Sequence, residues 1–133
     1  MFEAAEVASD PAISRAETSA AIAFVTAGGI LLKYTRAKLI NGVPHNPRPK
    51  TVRMSGTRML CDKKAFNITN IKLGGSMLLR ANRLCSDFDS NFHVYLSGIS
   101  AGRDQLDFRA PTKELAQNWV TGVLASIGKL QQS

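Results

Sequence analysis

The clearest structural signal in the chain is DQLDFRAPTKELAQNWVTGVLASI, residues 104–127. Its first six residues read as a short strand. Pro111 and Thr112 then mark the start of a helix, with Thr112 as the N-cap and Glu114 in the first turn, where a negative charge is favourable. The apolar residues that follow are spaced one or three apart: Leu115, Ala116, Trp119, Val120, Val123, Leu124 and Ile127. This spacing predicts a helix with one apolar side, which must pack onto another element.

The residues upstream predict a sheet for that helix to cover. Short segments with large or alternating apolar residues are separated by turn signals such as Ser55-Gly56 and Gly74-Gly75, a pattern typical of antiparallel strands. Strands are predicted at 30–35, 50–54, 58–62, 66–71, 76–81, 92–96 and 104–109. Ahead of them, Ser14 and Glu17 predict a capping box for a helix that begins at Arg15 and ends before Gly28-Gly29.

An antiparallel sheet must bury one face, and a single helix covers only part of a flat sheet. Strong curvature solves this problem, because a bent sheet packs against itself and leaves one end for the helix. We therefore expect an α+β, mainly β fold: a seven-stranded bent antiparallel barrel, capped by the C-terminal helix with Trp119 at its centre, and an additional short N-terminal helix. The single domain is predicted over residues 14–131, after a flexible arm over residues 1–13.

The positive charge of the chain is concentrated in one segment. The whole chain has 17 basic and 10 acidic residues. Residues 33–64 contain nine basic residues and one acid, Asp62, and so carry +8, while the remaining 101 residues carry −1. Lys and Arg on strand edges to prevent aggregation would account for part of this cluster. Clustered charges of one sign repel one another, a cost that a mixed surface would avoid. The other part of the cluster therefore predicts a face for an anionic partner.

Several other classes of protein are disfavoured. Two cysteines, Cys61 and Cys85, are too few for a disulfide framework and are expected to be reduced thiols in packing positions. The longest uncharged run, residues 18–32, has 15 residues, fewer than the ~20 of a spanning helix. His45 lies in a Pro-rich loop, and His93 is expected at the surface, opposite the core face of its strand.

Neither histidine has a metal-ligand spacing or a nucleophile motif beside it, so we expect a protein that is not an enzyme and needs no cofactor. Nucleic acid would suit the basic segment, but no aromatic platform or zinc pattern accompanies it. We therefore expect no nucleic-acid partner.

Five segments carry a resemblance to a known family. RDQLDFRAPT (103–112) and AQNWVTG (116–122) resemble the last strand and C-terminal helix of pleckstrin homology domains, most closely the phospholipase-C-like type. GILLKY (29–34) is similar to the first strand of that type, KTVRM (50–54) to the second, and FNITNI (66–71) to the segment before the fourth. The resemblance covers about residues 18–130.

Acylated members of this class in apicomplexan parasites are nearly stand-alone domains of this size. They include inner-membrane-complex sub-compartment proteins and an acylated protein of secretory organelles. Their anchoring signal is an N-terminal pair of glycine and cysteine, which MFEAAE (1–6) does not contain.

The resemblance also implies a binding site. Phosphoinositide-binding members share a Lys on the first strand, a loop, and then a basic residue, any residue, Arg, any residue and an apolar residue. This chain has Lys33, a long loop with three prolines, and Arg48-Pro49-Lys50-Thr51-Val52. A hairpin brings Lys33 and Lys50 to the barrel mouth, where basic side chains bind phosphate. The headgroup-binding residues implied are Lys33, Arg36, Lys38, Arg48, Lys50 and Arg53.

Lys50 stands where the family pattern has Arg, and Lys does not form the planar two-point clamp on phosphate. Weak, salt-sensitive attraction to anionic phospholipid is therefore expected, at the cytoplasmic face of a membrane and without insertion. The alternative is a scaffold of the same fold that has lost phosphoinositide binding and recruits protein partners in a membrane-associated assembly of the inner-membrane-complex type. Both alternatives imply peripheral membrane association.

Overall fold

A computed structural model describes residues 11–34, 47–76, 90–100 and 103–130 of the chain. Its elements in chain order are helix α1 (Pro11–Ala27), strands β1 (Gly29–Tyr34), β2 (Arg48–Ser55), β3 (Arg58–Cys61), β4 (Lys64–Leu73), β5 (Asn91–Ser100) and β6 (Arg103–Arg109), and helix α2 (Lys113–Ser126). The expected mainly β composition, with one helix before the strands and one after them, is confirmed.

The strands form a closed antiparallel barrel in the order β1 to β6, and β1 closes it by pairing with both β2 and β6. The described residues contain six strands, so the prediction of seven is wrong for them. β4 and β5 pair directly, from Ile68 with Leu96 to Leu73 with Phe92, and the barrel needs no strand between them. Ser76 lies outside any strand, and the rest of the predicted strand, residues 77–81, falls outside the described residues.

Side chains alternate between the barrel interior and its outer surface, as the period of two in a strand requires. The interior is apolar and holds Leu31, Val52, Met54, Met59, Cys61, Phe66, Ile68, Ile71, Phe92, Val94, Leu106 and Phe108. A register irregularity between Ile68 and Asn70 allows both Ile68 and Ile71 to point inward in spite of their odd spacing. The alternation read from the sequence therefore predicts most of the core.

Helix α2 caps one end of this barrel. Thr112 is its N-cap and accepts a hydrogen bond from the N–H of Leu115 at 3.1 Å, as predicted. Trp119 is 3% exposed, and its ring stacks on Phe92 with a centroid distance of 6.2 Å. Near the C-terminal end of α2, the Ser126 hydroxyl donates to the carbonyl of Gly56 in the turn between β2 and β3. The capped end is therefore the end at which β2 finishes.

Helix α1 packs against α2, a contact that the sequence did not predict. Gly122 of α2 allows this close approach, because a Cβ at that position would lie 2.6 Å from the carbonyl oxygen of Ala21 and would also collide with Val25. The ring of Phe24 meets Trp119 edge-on at 5.8 Å. The N-terminal helix thus adds a second layer over the capped end.

The bounds of α1 differ from the prediction at one end only. The helix begins at Pro11 rather than Arg15, and Ser14 lies inside it, so Ser14 is not its N-cap. Proline is favoured in the first turn of a helix because its missing N–H needs no partner there. The predicted end is confirmed: Gly28 has a φ of 75°, and its N–H donates to the carbonyl of Phe24.

Candidate functional site

The candidate site lies at the end of the barrel opposite α2, where β2 begins. Lys33 of β1 is paired with Arg48 of β2 on one side and with Phe108 of β6 on the other. Directly paired residues of an antiparallel ladder project to the same side of the sheet. Since Phe108 is fully buried in the core, Lys33 and Arg48 also belong to the interior side of the barrel.

Two more basic residues share that side. Lys50 is paired with Leu31, and Lys64 is paired with Cys61, and both partners are buried. We call these four residues, Lys33, Arg48, Lys50 and Lys64, the basic rim. They stand on strands β1, β2 and β4, with the apolar core directly beneath them. The structure thus places Lys33 and Lys50 on one side of adjacent strands, two positions apart, as the hairpin argument predicted.

Phe66 positions the ammonium group of Lys33. The Lys33 Nζ lies 5.5 Å from the centroid of the Phe66 ring, a cation–π distance, and Phe66 is itself part of the buried core. The long aliphatic stem of Lys33 can therefore cover apolar surface while its charge stays at the rim.

Asp62, in the turn between β3 and β4, is the acidic neighbour of the basic rim. Its carboxylate lies 3.4 Å from the Lys50 Nζ, and its Oδ1 accepts the N–H of Thr51 at 2.9 Å. In return, the N–H of Asp62 donates to the carbonyl of Thr51 at 2.8 Å. The bond from Thr51, followed by Lys50 and Lys33, holds the pKa of Asp62 below its ordinary value. Asp62 is therefore ionised and fixed to β2 by backbone contacts.

Cys61 is a buried residue next to the basic rim, paired with Lys64. Burial raises the pKa of its thiol, and Asp62 acts in the same direction, while three lysines of the basic rim oppose them. The thiol is 4% exposed and stays protonated, which makes it a poor nucleophile. The packing role expected for Cys61 agrees with this burial; Cys85 lies outside the described residues.

The other predicted site residues fall in different places. Arg53 is exposed between the buried Val52 and Met54, so it projects from the outer surface, and it lies beside Gly28 toward the capped end. Arg36 and Lys38 lie outside the described residues. Lys64 was missed as a site residue, although it precedes the inward-facing Phe66 by two positions. The same alternation could have added Lys64 and removed Arg53.

A separate polar cluster lies on the outer surface of β5 and β6. His93 is 5% exposed, so the prediction that it lies at the surface is wrong. It does point away from the core beside Tyr95, but residues 74–76 cover it: His93 Nδ1 donates to the carbonyl of Gly74 at 2.8 Å, since a carbonyl can only accept, and Nε2 lies 3.2 Å from the Tyr95 hydroxyl oxygen.

Asp107 completes this cluster. It is paired with His93 across the ladder and is 1% exposed, and it accepts both the N–H and the hydroxyl of Ser76, each at 2.7 Å. In a hydrolase triad the histidine bridges the serine and the aspartate. Here Ser76 and Asp107 bond directly to each other, and these bonds fasten the segment that contains Ser76 to the barrel.

Within residues 11–34, 47–76, 90–100 and 103–130, no three His, Cys, Asp or Glu side chains are grouped so that they could hold a metal ion. Neither helix of this described part has the length and apolar character needed to cross a bilayer.

Comparison of the sequence with models of known protein families gives no match, and comparison with curated proteins gives no significantly similar sequence. The fold stands on the structure alone: a small antiparallel barrel with a C-terminal helix over one end, which is compatible with the pleckstrin homology architecture.

Proposed function

We propose that this chain is a non-enzymatic, pleckstrin-homology-like module that uses its basic rim to engage anionic phospholipid headgroups at a membrane surface. The observation that carries the proposal is the shared orientation of the four rim residues, which turn inward at the end of the barrel away from α2. Arg48 and Lys64 are exposed and Lys33 and Lys50 are half-buried, so the four charges lie together at an end of the barrel where a ligand or a partner can reach them.

The charge of the basic rim suits phosphate. Ammonium and guanidinium groups form charge-assisted hydrogen bonds with phosphate oxygens, and the neighbouring Asp62 cancels only one of the four positive charges. Each basic residue close to an acidic bilayer contributes roughly 1 kcal/mol of binding free energy. The basic rim therefore supports weak attachment that assists another membrane contact, rather than stable anchoring on its own.

Membership of the pleckstrin homology superfamily, of the phospholipase-C-like type, is part of the proposal. It is supported by the order of the strands, by the helix with Trp119, and by the place of Lys33 and Lys50 in the two strands that hold the ligand in that family. Cytoplasmic, peripheral association with a membrane follows from it, as in the acylated apicomplexan members of the class.

One observation favours the alternative, a scaffold that has lost headgroup binding. Lys50, at the position where the family pattern has Arg, already forms an ion pair with Asp62. A protein partner from a membrane-associated assembly of the inner-membrane-complex type could then use the same basic surface, or another one, without any lipid.

Charge reversal separates the two functions. The double variant Lys33→Glu/Lys50→Glu changes the basic rim, while Arg53→Glu/Arg58→Glu makes the same change in charge on exposed positions toward the capped end. Vesicles containing phosphatidic acid or a phosphoinositide should sediment the native chain, more weakly as salt increases. We expect the rim variant to lose binding at least about tenfold and the control variant to lose far less, since its charges are farther from the headgroups.

Lack of salt-sensitive binding by the native chain would reject the headgroup proposal. Equal losses of binding in the two variants would show that net charge, and not the position of the basic rim, drives the interaction with the vesicles. If localisation and partner capture in cells survive the rim reversal, the scaffold function is supported instead.

A further inference from the structure

We propose that Asp62 is a built-in competitor of the ligand: its carboxylate holds Lys50 and must be displaced before a phosphate group can bind there. This inference rests on the proposed function, because it concerns how strongly the same basic rim takes a phosphate. It makes Asp62 a residue that sets affinity, although Asp62 is acidic and belongs to no basic motif.

The backbone holds the carboxylate in this position. Asp62 exchanges two hydrogen bonds with Thr51, its N–H to the Thr51 carbonyl and its Oδ1 from the Thr51 N–H. Thr51 directly follows Lys50, so the bonds that fix Asp62 also fix it beside the Lys50 ammonium, with Oδ2 at 3.4 Å. The backbone of β2 thus holds the Asp62 carboxylate beside the Lys50 ammonium group.

The ion pair is open to exchange. The Lys50 and Asp62 side chains are 32% and 44% exposed, so water screens their attraction and an incoming phosphate can reach the ammonium group. A phosphate monoester brings more negative charge and more acceptor oxygens than one carboxylate. Displacement is therefore feasible, but the negative charge that stays nearby opposes the ligand.

Asn is the substitution that removes the charge and little else. Asp62 has a φ of 53°, in the left-handed region that Asn tolerates at least as well as Asp. The Asn side-chain oxygen can still accept the N–H of Thr51. Asp62→Asn should therefore keep the turn, and its folding is checked by circular dichroism and thermal unfolding. Glu17→Gln is the matched control, because it removes one exposed negative charge on α1, which packs at the capped end.

The experiment compares the native chain, Asp62→Asn and Glu17→Gln on vesicles of phosphatidylcholine with and without phosphatidic acid. We expect Asp62→Asn to bind the acidic vesicles about fivefold more tightly at low salt, which corresponds to one unit of charge near an anionic bilayer. The gain should shrink as salt increases. Glu17→Gln should change binding less than about twofold, and vesicles without phosphatidic acid should bind none of the proteins. A parallel thermal-shift titration with inorganic phosphate tests a soluble ligand.

The outcomes are distinct. If the native chain binds and Asp62→Asn gains no more than Glu17→Gln, the competitor role is overturned while the headgroup proposal stands. If Asp62→Asn alone binds vesicles, the competitor role is supported and the native chain is not a headgroup-binding protein by itself. If phosphate stabilises Asp62→Asn more than the native chain and no vesicles bind, the carboxylate competes with a soluble phosphate instead. Absence of binding in every arm overturns both proposals.

Discussion

The two ends of this barrel use the same inward positions in opposite ways. At the capped end, inward side chains such as Phe92 meet Trp119, and a second helix lies over the first. At the other end, the inward positions of three strands are taken by Lys33, Arg48, Lys50 and Lys64. At both ends the strand register sets which way a side chain points, while the neighbouring element decides whether that position favours an apolar or a charged residue.

Removing the centre of the cap should have the largest effect. Trp119→Ala takes away a buried ring that contacts Phe24 and Phe92, and truncation of such a residue costs about 3–5 kcal/mol of unfolding free energy. Urea unfolding followed by circular dichroism measures this. Asn118→Ala, on the exposed side of α2, is the control and should stay within about 0.5 kcal/mol of the native chain. A loss below 1 kcal/mol for Trp119→Ala would contradict the packing of the cap.

Separating the two helices should have an intermediate effect. Gly122→Ala places a methyl group against the Ala21 carbonyl and Val25, and overpacking of this kind costs about 1–3 kcal/mol. Alanine would otherwise favour an exposed helix by about 1 kcal/mol over glycine, so the sign of the change is diagnostic. Thermal unfolding of Gly122→Ala and of its exposed neighbour variant Thr121→Ala gives the comparison. A more stable Gly122→Ala would show that α1 does not pack here.

The smallest effect is expected at the basic rim and should appear as a pH dependence. The pKa of Asp62 is lowered from its ordinary value of 3.8, chiefly by the Thr51 N–H and then by Lys50. The ionised Asp62 side chain therefore stabilises the folded chain above about pH 4, where Asp62 is ionised in the unfolded chain as well. This contribution to the unfolding free energy is lost as the pH falls through the lower pKa that Asp62 has in the folded chain. The difference in unfolding free energy between the native chain and Asp62→Asn should shrink between pH 6 and pH 3.

Urea unfolding at several pH values measures this difference, with Glu17→Gln, which removes an exposed charge on α1, as the reference. A difference that stays constant across this range would mean that the Asp62 carboxylate gains nothing from its two partners in the folded state.

Much of the fold could be predicted because it depends on local periodicity. The spacing of apolar residues predicted α2 and its cap. Alternation predicted six strands whose ends differ from those of the structure by at most four residues: β2, β4, β5 and β6 are longer than predicted, and β3 ends one residue earlier. The number of strands was not predictable in this way, because direct pairing of β4 with β5 is a long-range choice that no short segment reveals. The contact of α1 with α2 is also long-range, and Gly122 gives no sign of it in sequence.

The candidate site was predictable in part. The hairpin argument correctly brought Lys33 and Lys50 together, because register in a hairpin follows from the two strands alone. It included Arg53 because counting charge along a strand ignores which face each residue takes. It treated Asp62 only as an isolated acid in the basic segment, since the turn that aims it at Lys50 depends on backbone bonds to Thr51. His93 was misjudged because the segment that covers it is distant in sequence.

Closure of the barrel by β1 and β6 has a consequence for recognition. Each of the six described strands has a neighbour on both sides, so none of them is a free edge along its whole length. Addition of an extended peptide or a second copy as a further strand is therefore disfavoured, and side chains carry more of the recognition of a macromolecule that docks on these strands. Single substitutions on the barrel surface should therefore be effective tools for mapping its contacts.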